Sequence, residues 1–180
     1  MDLYEKEISR KNIFSGKILK LLVDEVLTPD GKQAEREIIE HNGGAGIVAA
    51  TKDKELVLVE QYRRPYDEIT LEIPAGKLEK NENPFVCANR ELKEETGYTA
   101  KEILPFGEIY PSPGYTNEVI HLFLAKDLEK GEAMPDEDEF LHIKKIPVSE
   151  ALSMVYDGKI KDAKTVICIL KYALTEGKSI

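Results

Sequence analysis

GKLEKNENPFVCANRELKEETGY, residues 76–98, is the most informative segment of the sequence. Asn83 is a suitable helix N-cap, and Pro84 fits the first helical position because its fixed φ and missing N–H do no harm there. Gly97 supplies the left-handed residue at which helices commonly end. The stretch therefore predicts a loop over residues 76–82 and then a helix. The helix has an apolar stripe that should be buried, formed by Phe85, Ala88 and Leu92.

Three glutamates share one face of this helix. Glu91, Glu94 and Glu95 stand at i, i+3 and i+4, and a helix turns by about 100° per residue, so the three carboxylates lie within one turn on the same side. Like charges at this spacing repel by roughly 0.2–0.5 kcal/mol per pair. Lys93 and Arg90 are the cations near enough to compensate. A divalent cation would remove the repulsion, and oxygen-only ligands favour Mg²⁺, with Mn²⁺ as an alternative.

A solvated acidic helix face is the competing interpretation, and it is the common explanation of an isolated cluster of this kind. Two neighbouring features favour a binding site. The loop over residues 76–82 begins with Gly76, which lets the backbone pass close to a ligand. Glu82 can accept hydrogen bonds from Arg90 and thereby fix the loop against the helix, which is a structural role rather than a catalytic one.

Strand patterns surround the helix, and further helices end the chain. The turn residues PDGK at 29–32 separate two strands near the N-terminus and predict a hairpin. The order of elements favours an α+β or an α/β/α layered fold. Strands are predicted at residues 17–27, 35–41, 47–50, 55–61, 70–73, 102–110, 119–125 and 140–146, and helices at 149–156 and 163–175.

Composition limits the classes of partner. The chain has 180 residues and a formal net charge of −9, so nucleic acid and anionic lipid should be repelled unless a local basic patch exists. The apolar runs are too short to span a bilayer, and the charged N-terminus lacks a signal-peptide pattern, so we expect a cytoplasmic protein and no membrane partner. The two cysteines, Cys87 and Cys168, have no zinc-site spacing and should be inert core residues.

The stretch at residues 76–98 resembles the signature of the Nudix hydrolases, G-x5-E-x7-R-E-U-x-E-E-x-G-U, where U is a bulky apolar residue. Every fixed position matches, with Tyr98 a slightly polar choice for the last. The resemblance implies an α/β/α sandwich with mixed sheets flanked by helices. It also implies attack of water on a phosphorus atom of a nucleoside diphosphate derivative.

The same resemblance implies roles for individual residues. Glu91 and Glu95 would be the main metal ligands, with Glu94 assisting and the carbonyl of Ala75 also available. Gly76 would lie against the substrate. The motif would be held together by residues with a structural role, namely Glu82, Arg90 and Gly97.

Two features outside the signature concern the substrate. Pro113, 16 residues after Gly97, lies in an SPG-type loop followed by Glu118, and this arrangement resembles the ADP-ribose pyrophosphatase branch. A simple turn between strands is the alternative. The resemblance further implies that a loop at the acidic run of residues 136–139 supplies a catalytic glutamate. Glu139 is the first choice and Glu137 the second.

Further expectations concern the substrate site and the assembly. Arg63 could bind the terminal ribose or a phosphate as a bidentate donor, although a surface arginine before Pro65 is an equal alternative. In the branch that the chain resembles, the N-terminal hairpin packs across a two-fold axis, so Arg36 and Glu37 would help to build the adenosine site of a partner in a homodimer. This divides the chain into an extension over residues 1–43 and a hydrolase domain over residues 44–180.

Three other functions remain open at the level of sequence. The first is a Nudix enzyme that acts on another nucleotide, such as an ADP-sugar, another nucleotide sugar, NADH, a dinucleoside polyphosphate or an oxidised nucleoside triphosphate. The second is a catalytically silent nucleotide-binding module, although such modules usually lose signature glutamates. The third is a structural protein whose acidic helix binds a partner, which leaves the Gly76 loop unexplained.

Overall fold

The computed structural model describes residues 2–134 and 140–176, and these form two units. One unit combines the chain up to Gly43 with Tyr110–Val119. Its sheet is antiparallel, in the order β1-β2-β3. The predicted hairpin is confirmed, but the strand that precedes it was missed because its sequence is charged and exposed along its length. The strands are β1 (Lys6–Ser15), β2 (Leu19–Leu27) and β3 (Gln33–His41).

The segment Tyr110–Val119 is held against β3 by backbone hydrogen bonds. The amide of Ile39 donates to the carbonyl of Tyr115 at 2.7 Å, and the amide of Asn117 donates to the carbonyl of Ile39 at 3.2 Å. The Asn117 side chain also accepts from the amide of His41 at 2.9 Å. The PSPG loop and β3 therefore belong to one unit.

The other unit, Gly44–Ile109 with the chain from Ile120 onward, contains a mixed sheet in the order β10-β5-β4-β9-β8. β4 and β9 pair in parallel, whereas the other pairs are antiparallel; β6 adds to β5, and β7 adds to β4. The strands are β4 (Gly44–Ala50), β5 (Glu55–Arg63), β6 (Glu68–Glu72), β7 (Ala75–Lys77), β8 (Tyr98–Ile109), β9 (Ile120–Lys130) and β10 (Leu141–Pro147).

Helices cover both faces of this sheet, which confirms the predicted α/β/α sandwich. Alternate residues of β4 point to opposite faces, as the two-residue period of a strand requires. Ile47 and Ala49 pack in the cluster with α1 (Pro84–Thr96). Val48 and Ala50 pack in the cluster with α2 (Val148–Tyr156) and α3 (Ala163–Glu176). Because both faces are covered, β4 is buried throughout.

Two details of the predicted helix and loop were wrong. Phe85 is 46% exposed and packs edge-on against Phe123 with ring centroids 6.1 Å apart, so the buried face of the helix begins at Cys87 and Ala88. The predicted loop over residues 76–82 starts inside β7, because Gly76 pairs with Ala45 of β4.

Both cysteines are fully buried and unpaired, as predicted for core residues. Burial raises the pKa of Cys87 and of Cys168 to about 12, so neither thiol is reactive near neutral pH. None of the helices in the described ranges is long and apolar enough to cross a membrane.

Candidate active site

Helix α1 carries the glutamates, and both of its ends are capped. The Asn83 side chain accepts a hydrogen bond from the amide of Phe85 at 2.9 Å, and Pro84 occupies the first turn. Gly97 has φ 73°, and its amide donates to the carbonyl of Lys93 at 2.8 Å. A left-handed residue of this kind strongly favours glycine. The caps therefore fix the register that brings the glutamates to one face.

Glu91 and Glu95 are buried carboxylates that face strand β7. They are 6% and 3% exposed. The amide of Ala75 donates to Glu95 Oε2 at 3.2 Å. At Gly76 a Cβ atom would lie only 1.7 Å from Glu91 Oε1, so any side chain there would displace the carboxylate. The short strand and the helix together make a close pocket for carboxylate oxygens.

Arg90 is the cation at the centre of this cluster. Its guanidinium lies 3.2 Å from Glu82 Oε1, 2.8 Å from Glu91 Oε1 and 2.9 Å from Glu94 Oε2. Burial acts to lower the pKa of Arg90, but hydrogen bonds to Glu82 and Glu94 outweigh it and raise that pKa. Burial likewise acts to raise the pKa of Glu82, but the hydrogen bond from Arg90 makes the net change a lowering. Glu82 and Arg90 are therefore both charged at neutral pH.

The donor chemistry of the cluster suits a hard divalent cation. Glu91 and Glu95 offer carboxylate oxygens, and the backbone of β7 leaves no room for a side chain opposite them. Within residues 2–134 and 140–176, no set of three acidic, histidine or cysteine side chains forms a ready-made metal site. Arg90 already contacts Glu91 and Glu94, so a bound cation would compete with its guanidinium.

A second ionic cluster lies in the same unit and joins β5, β6 and α3. Glu72, 3% exposed, accepts from Arg63 Nε and Nη2, each at 2.7 Å, and from Thr70 Oγ1 at 2.6 Å. Lys164, 7% exposed, donates to Glu72 and lies 3.0 Å from Asp162. Glu95 is close enough to contribute to the raised pKa of Arg63, after the larger effect of the Glu72 hydrogen bond.

The start of α3 is tied to the chain just before β7. Asp162 Oδ2 accepts from the amide of Thr165 at 3.0 Å and from its hydroxyl at 2.5 Å. The Thr165 hydroxyl oxygen in turn accepts from the amide of Ile73 at 2.9 Å, and this threonine is fully buried. The helix that carries Lys164 is therefore fixed to the segment that leads to Ala75 and Gly76.

Four of the predicted substrate residues belong to the first unit. Arg36 on β3 is paired with Glu5, and its neighbour Glu37 is exposed. Pro113 is exposed in the loop, and Glu118 Oε1 lies 3.4 Å from His41 Nδ1. The same His41 nitrogen accepts from the amide of Gly43 at 3.0 Å.

Two of the predicted catalytic residues are outside the structure's described ranges, and two buried charged residues were not predicted from the sequence. Glu137 and Glu139 lie outside the described residues. Glu72 and Lys164 were missed because a charged side chain is normally exposed, and nothing in the sequence marks these two as buried partners 92 positions apart. Glu72 sits at the end of its strand, next to Ile73-Pro74-Ala75, which is the one local signal of its closeness to the site.

The family of this protein follows from its similarity to known proteins. The NUDIX domain family model matches residues 40–167, which is well over half of the chain, and the chain belongs to the Nudix hydrolase family. Hydrolases of this family generally need a divalent metal ion.

Individual relatives are similar over nearly the whole length. An ADP-ribose pyrophosphatase of Bacillus subtilis (strain 168) is 43% identical over 97% of this chain and 95% of its own. A methanol dehydrogenase activator of Bacillus methanolicus is 45% identical over 96% of this chain and 94% of its own. A GDP-mannose pyrophosphatase of Yersinia enterocolitica is 36% identical over 81% of this chain and 80% of its own.

A solved structure also resembles this chain. It is described as the crystal structure of ADP compounds hydrolase and superposes with a TM-score of 0.86, covering 99% of this chain and 98% of its own. At 20% sequence identity this likeness shows the fold.

Proposed function

We propose that the protein hydrolyses the diphosphate bond of ADP-ribose to give AMP and ribose 5-phosphate. The observation that carries the proposal is the pair of buried carboxylates, Glu91 and Glu95, held on a capped helix against Ala75 and Gly76. The substrate is proposed from the likeness to the ADP-ribose pyrophosphatase of Bacillus subtilis, which extends over 97% of this chain.

The metal in this proposal is Mg²⁺. Glu91 and Glu95 would hold it, with the carbonyl of Ala75 as a further oxygen ligand and Glu94 assisting. When bound, the ion would neutralise the diphosphate oxygens and make water more acidic. Arg90 is held by Glu82, and its guanidinium in turn contacts the carboxylates of Glu91 and Glu94. This contact keeps the two carboxylates close together.

In the reaction, the oxygen of a water molecule bonds to one phosphorus, and the bridging P–O bond breaks. The bridging oxygen leaves with the other phosphoryl group, and the water proton passes to a carboxylate acting as general base. Glu139 is the first candidate for this base and Glu137 the second, and Glu94 could serve from the helix. Hydrolysis adds one water and needs no other co-substrate.

Several residues outside the carboxylate cluster are proposed to bind the substrate. Arg63, which is 38% exposed at its side chain, would bind a phosphate or the terminal ribose, and Gly76 would allow close approach of the backbone. Pro113 and Glu118 would shape the sugar end. Arg36 and Glu37 would contribute to the adenosine site of a partner subunit.

A homodimer follows from this assignment of Arg36 and Glu37. β1 is an edge strand that presents Ile8, Ile13 and Phe14 at 47%, 48% and 56% exposure. Exposed apolar residues on a sheet edge are a surface that a second copy could cover. We expect light scattering after size exclusion to give about twice the mass of 20.3 kDa, and a monomer would contradict this part of the proposal.

A nucleotide sugar is the second candidate substrate. The GDP-mannose pyrophosphatase of Yersinia enterocolitica, which shares 36% identity with this chain, favours it. The chemistry at Glu91 and Glu95 would be the same, because both substrates contain a diphosphate bridge between a nucleoside and a sugar.

Hydrolysis of a substrate panel separates these candidates. The panel contains ADP-ribose, ADP-glucose, GDP-mannose, NADH, diadenosine polyphosphate and deoxynucleoside triphosphates, each with Mg²⁺ and with EDTA in its place. We expect the highest kcat/KM for ADP-ribose, with equal amounts of AMP and ribose 5-phosphate released, and no turnover in EDTA. Turnover should return when Mg²⁺ is added back.

The other outcomes are informative in different ways. A preference for GDP-mannose would replace the substrate and retain the mechanism. Metal-dependent hydrolysis of another compound in the panel would do the same. Absence of turnover of every compound, in protein whose folding is shown by a cooperative thermal transition, would contradict the enzymatic function and favour a nucleotide-binding module.

A further inference from the structure

Glu72 is a buried carboxylate that no step of the proposed hydrolysis uses. Its two oxygens accept two hydrogen bonds from Arg63, one from Thr70 and one from Lys164. A carboxylate that is 3% exposed needs such partners, because an unpaired charge in the interior is strongly unfavourable. With four donors and two cations around it, Glu72 is confined to one orientation.

This orientation determines how Arg63 is presented. A guanidinium has five N–H donors, and the pair with Glu72 uses the edge formed by Nε and Nη2. Among the described residues Nη1 makes no hydrogen bond, so the opposite edge is available for an anion. That edge belongs to a side chain that is 38% exposed and close to Glu95.

The anchor of Glu72 comes from helix α3. Lys164 donates to the same Glu72 oxygen that Arg63 Nη2 binds. The position of Lys164 is fixed in turn, because Asp162 lies 3.0 Å from its ammonium group and the hydroxyl of Thr165 accepts a hydrogen bond from the amide of Ile73. A chain of direct contacts thus runs from α3 through Lys164 and Glu72 to Arg63.

The geometry points to a positioning role: Glu72, anchored by Lys164, orients Arg63 so that its free edge binds the diphosphate or the sugar of the substrate. This inference rests on the proposed function, because it needs a substrate at the carboxylate site. Neither Glu72 nor Lys164 touches the reacting atoms. Their effect should therefore appear in substrate binding, transmitted through Arg63, rather than in the chemical step.

Lys164→Met is the variant that tests this role. It removes the anchor and leaves Glu72 paired with Arg63, so no buried charge is left alone. We expect the KM for ADP-ribose to rise about tenfold while kcat changes by less than about twofold, since binding common to ground and transition states affects KM alone. Lys164→Arg keeps the cation and should restore KM to within about threefold of the native value.

Lys161→Met is the matched control. Lys161 lies three positions earlier and pairs with Glu68 on the same strand as Glu72, at 3.2 Å, but both residues are far more exposed. Its KM and kcat should equal those of the native protein. If Lys164→Met does not fold, Glu72→Gln compared with Glu68→Gln on β6 supplies the same test.

A double-mutant cycle shows whether the effect passes through Arg63. In an Arg63→Met background, Lys164→Met should change KM by less than about twofold, because the group that it orients is already absent. Equal effects in both backgrounds would overturn the inference, as would a native KM in folded Lys164→Met. A native protein that hydrolyses neither ADP-ribose nor GDP-mannose would overturn the proposed function as well, so the two failures are distinguishable.

Discussion

The two ionic clusters of the second unit differ in their balance of charge. At the cluster centred on Arg90, one guanidinium faces three carboxylates, those of Glu82, Glu91 and Glu94. At the cluster centred on Glu72, two cations, Arg63 and Lys164, are matched by two carboxylates, the second being Asp162. Glu72 of the second cluster lies three positions before Ala75, whose amide donates to Glu95, the neighbour of Glu94.

The difference in charge balance supports the two roles proposed for the clusters. A balanced cluster satisfies its own charges, so it needs no ion and can act as a rigid support. A cluster with an excess of carboxylates remains under mutual repulsion, and a cation from solution relieves it. We therefore propose that the Arg90 cluster, together with the neighbouring Glu95, holds the metal ion, and that the Glu72 cluster orients Arg63.

The largest expected effect concerns the balanced cluster and pH. Burial acts to raise the pKa of Glu72, but hydrogen bonds and charge from Arg63 and Lys164 outweigh it and lower the pKa from 4.5 to about 2. Because the folded pKa is lowered, the stabilisation is complete above pH 4.5 and is lost as pH falls toward 2. The stabilisation at stake is roughly 3 kcal/mol.

Urea unfolding between pH 6 and pH 2 measures this effect. The native protein should lose its advantage over Glu72→Gln in free energy of unfolding across the window from pH 4.5 to 2. If the free energies of unfolding of the two proteins changed in parallel with pH, the pKa of Glu72 would be the same in the folded and unfolded states. The ion pairs of this cluster would then contribute nothing to stability.

The next effect concerns the space opposite Glu91. Gly76→Ala places a Cβ atom where Glu91 Oε1 now lies, so the carboxylate must move, and hydrolysis of ADP-ribose should fall by about a hundredfold, as expected for misplaced catalytic groups. Gly46→Ala on β4 is the control, because its Cβ would meet the flexible end of Ile73 at 3.0 Å. Equal activities of the two variants would mean that the position of Glu91 is unimportant.

A smaller effect distinguishes the clusters by metal binding. Mg²⁺ at ten times its apparent Kd should stabilise the native protein by about 1.4 kcal/mol, because it binds the folded state alone. Lys164→Met should gain the same amount, whereas Glu95→Gln should gain almost none. Thermal unfolding with Mg²⁺ and with EDTA gives these differences. Equal stabilisation of all three proteins would place the ion elsewhere.

Local signals in the sequence account for most of the fold and for the centre of the site. Asn83, Pro84 and Gly97 determine the ends of α1, so the common face of Glu91 and Glu95 follows from helical geometry. The contact of Arg90 with Glu82 follows from the same spacing and the loop before the helix.

Other features depend on contacts between distant parts of the chain. Lys164 meets Glu72 because α3 packs on the sheet, and no local pattern indicates that pairing. Strand β1 was missed because it is exposed over its whole length, so it lacks the alternation of buried and exposed residues that reveals a strand. Phe85 was expected in the core, but it lies in the first turn of its helix, where the side chain is half exposed.

Hydrolysis of ADP-ribose by Glu95→Gln at saturating Mg²⁺ tests whether Glu91 and Glu95 form the catalytic metal site. Glu150→Gln is the control, since Glu150 is an exposed glutamate on α2. We expect kcat/KM to fall by at least about a hundredfold in Glu95→Gln, because several kcal/mol of transition-state stabilisation depend on the metal, whereas Glu150→Gln should keep the native rate. A folded Glu95→Gln protein with native kcat/KM would contradict the assignment of this carboxylate cluster as the catalytic metal site.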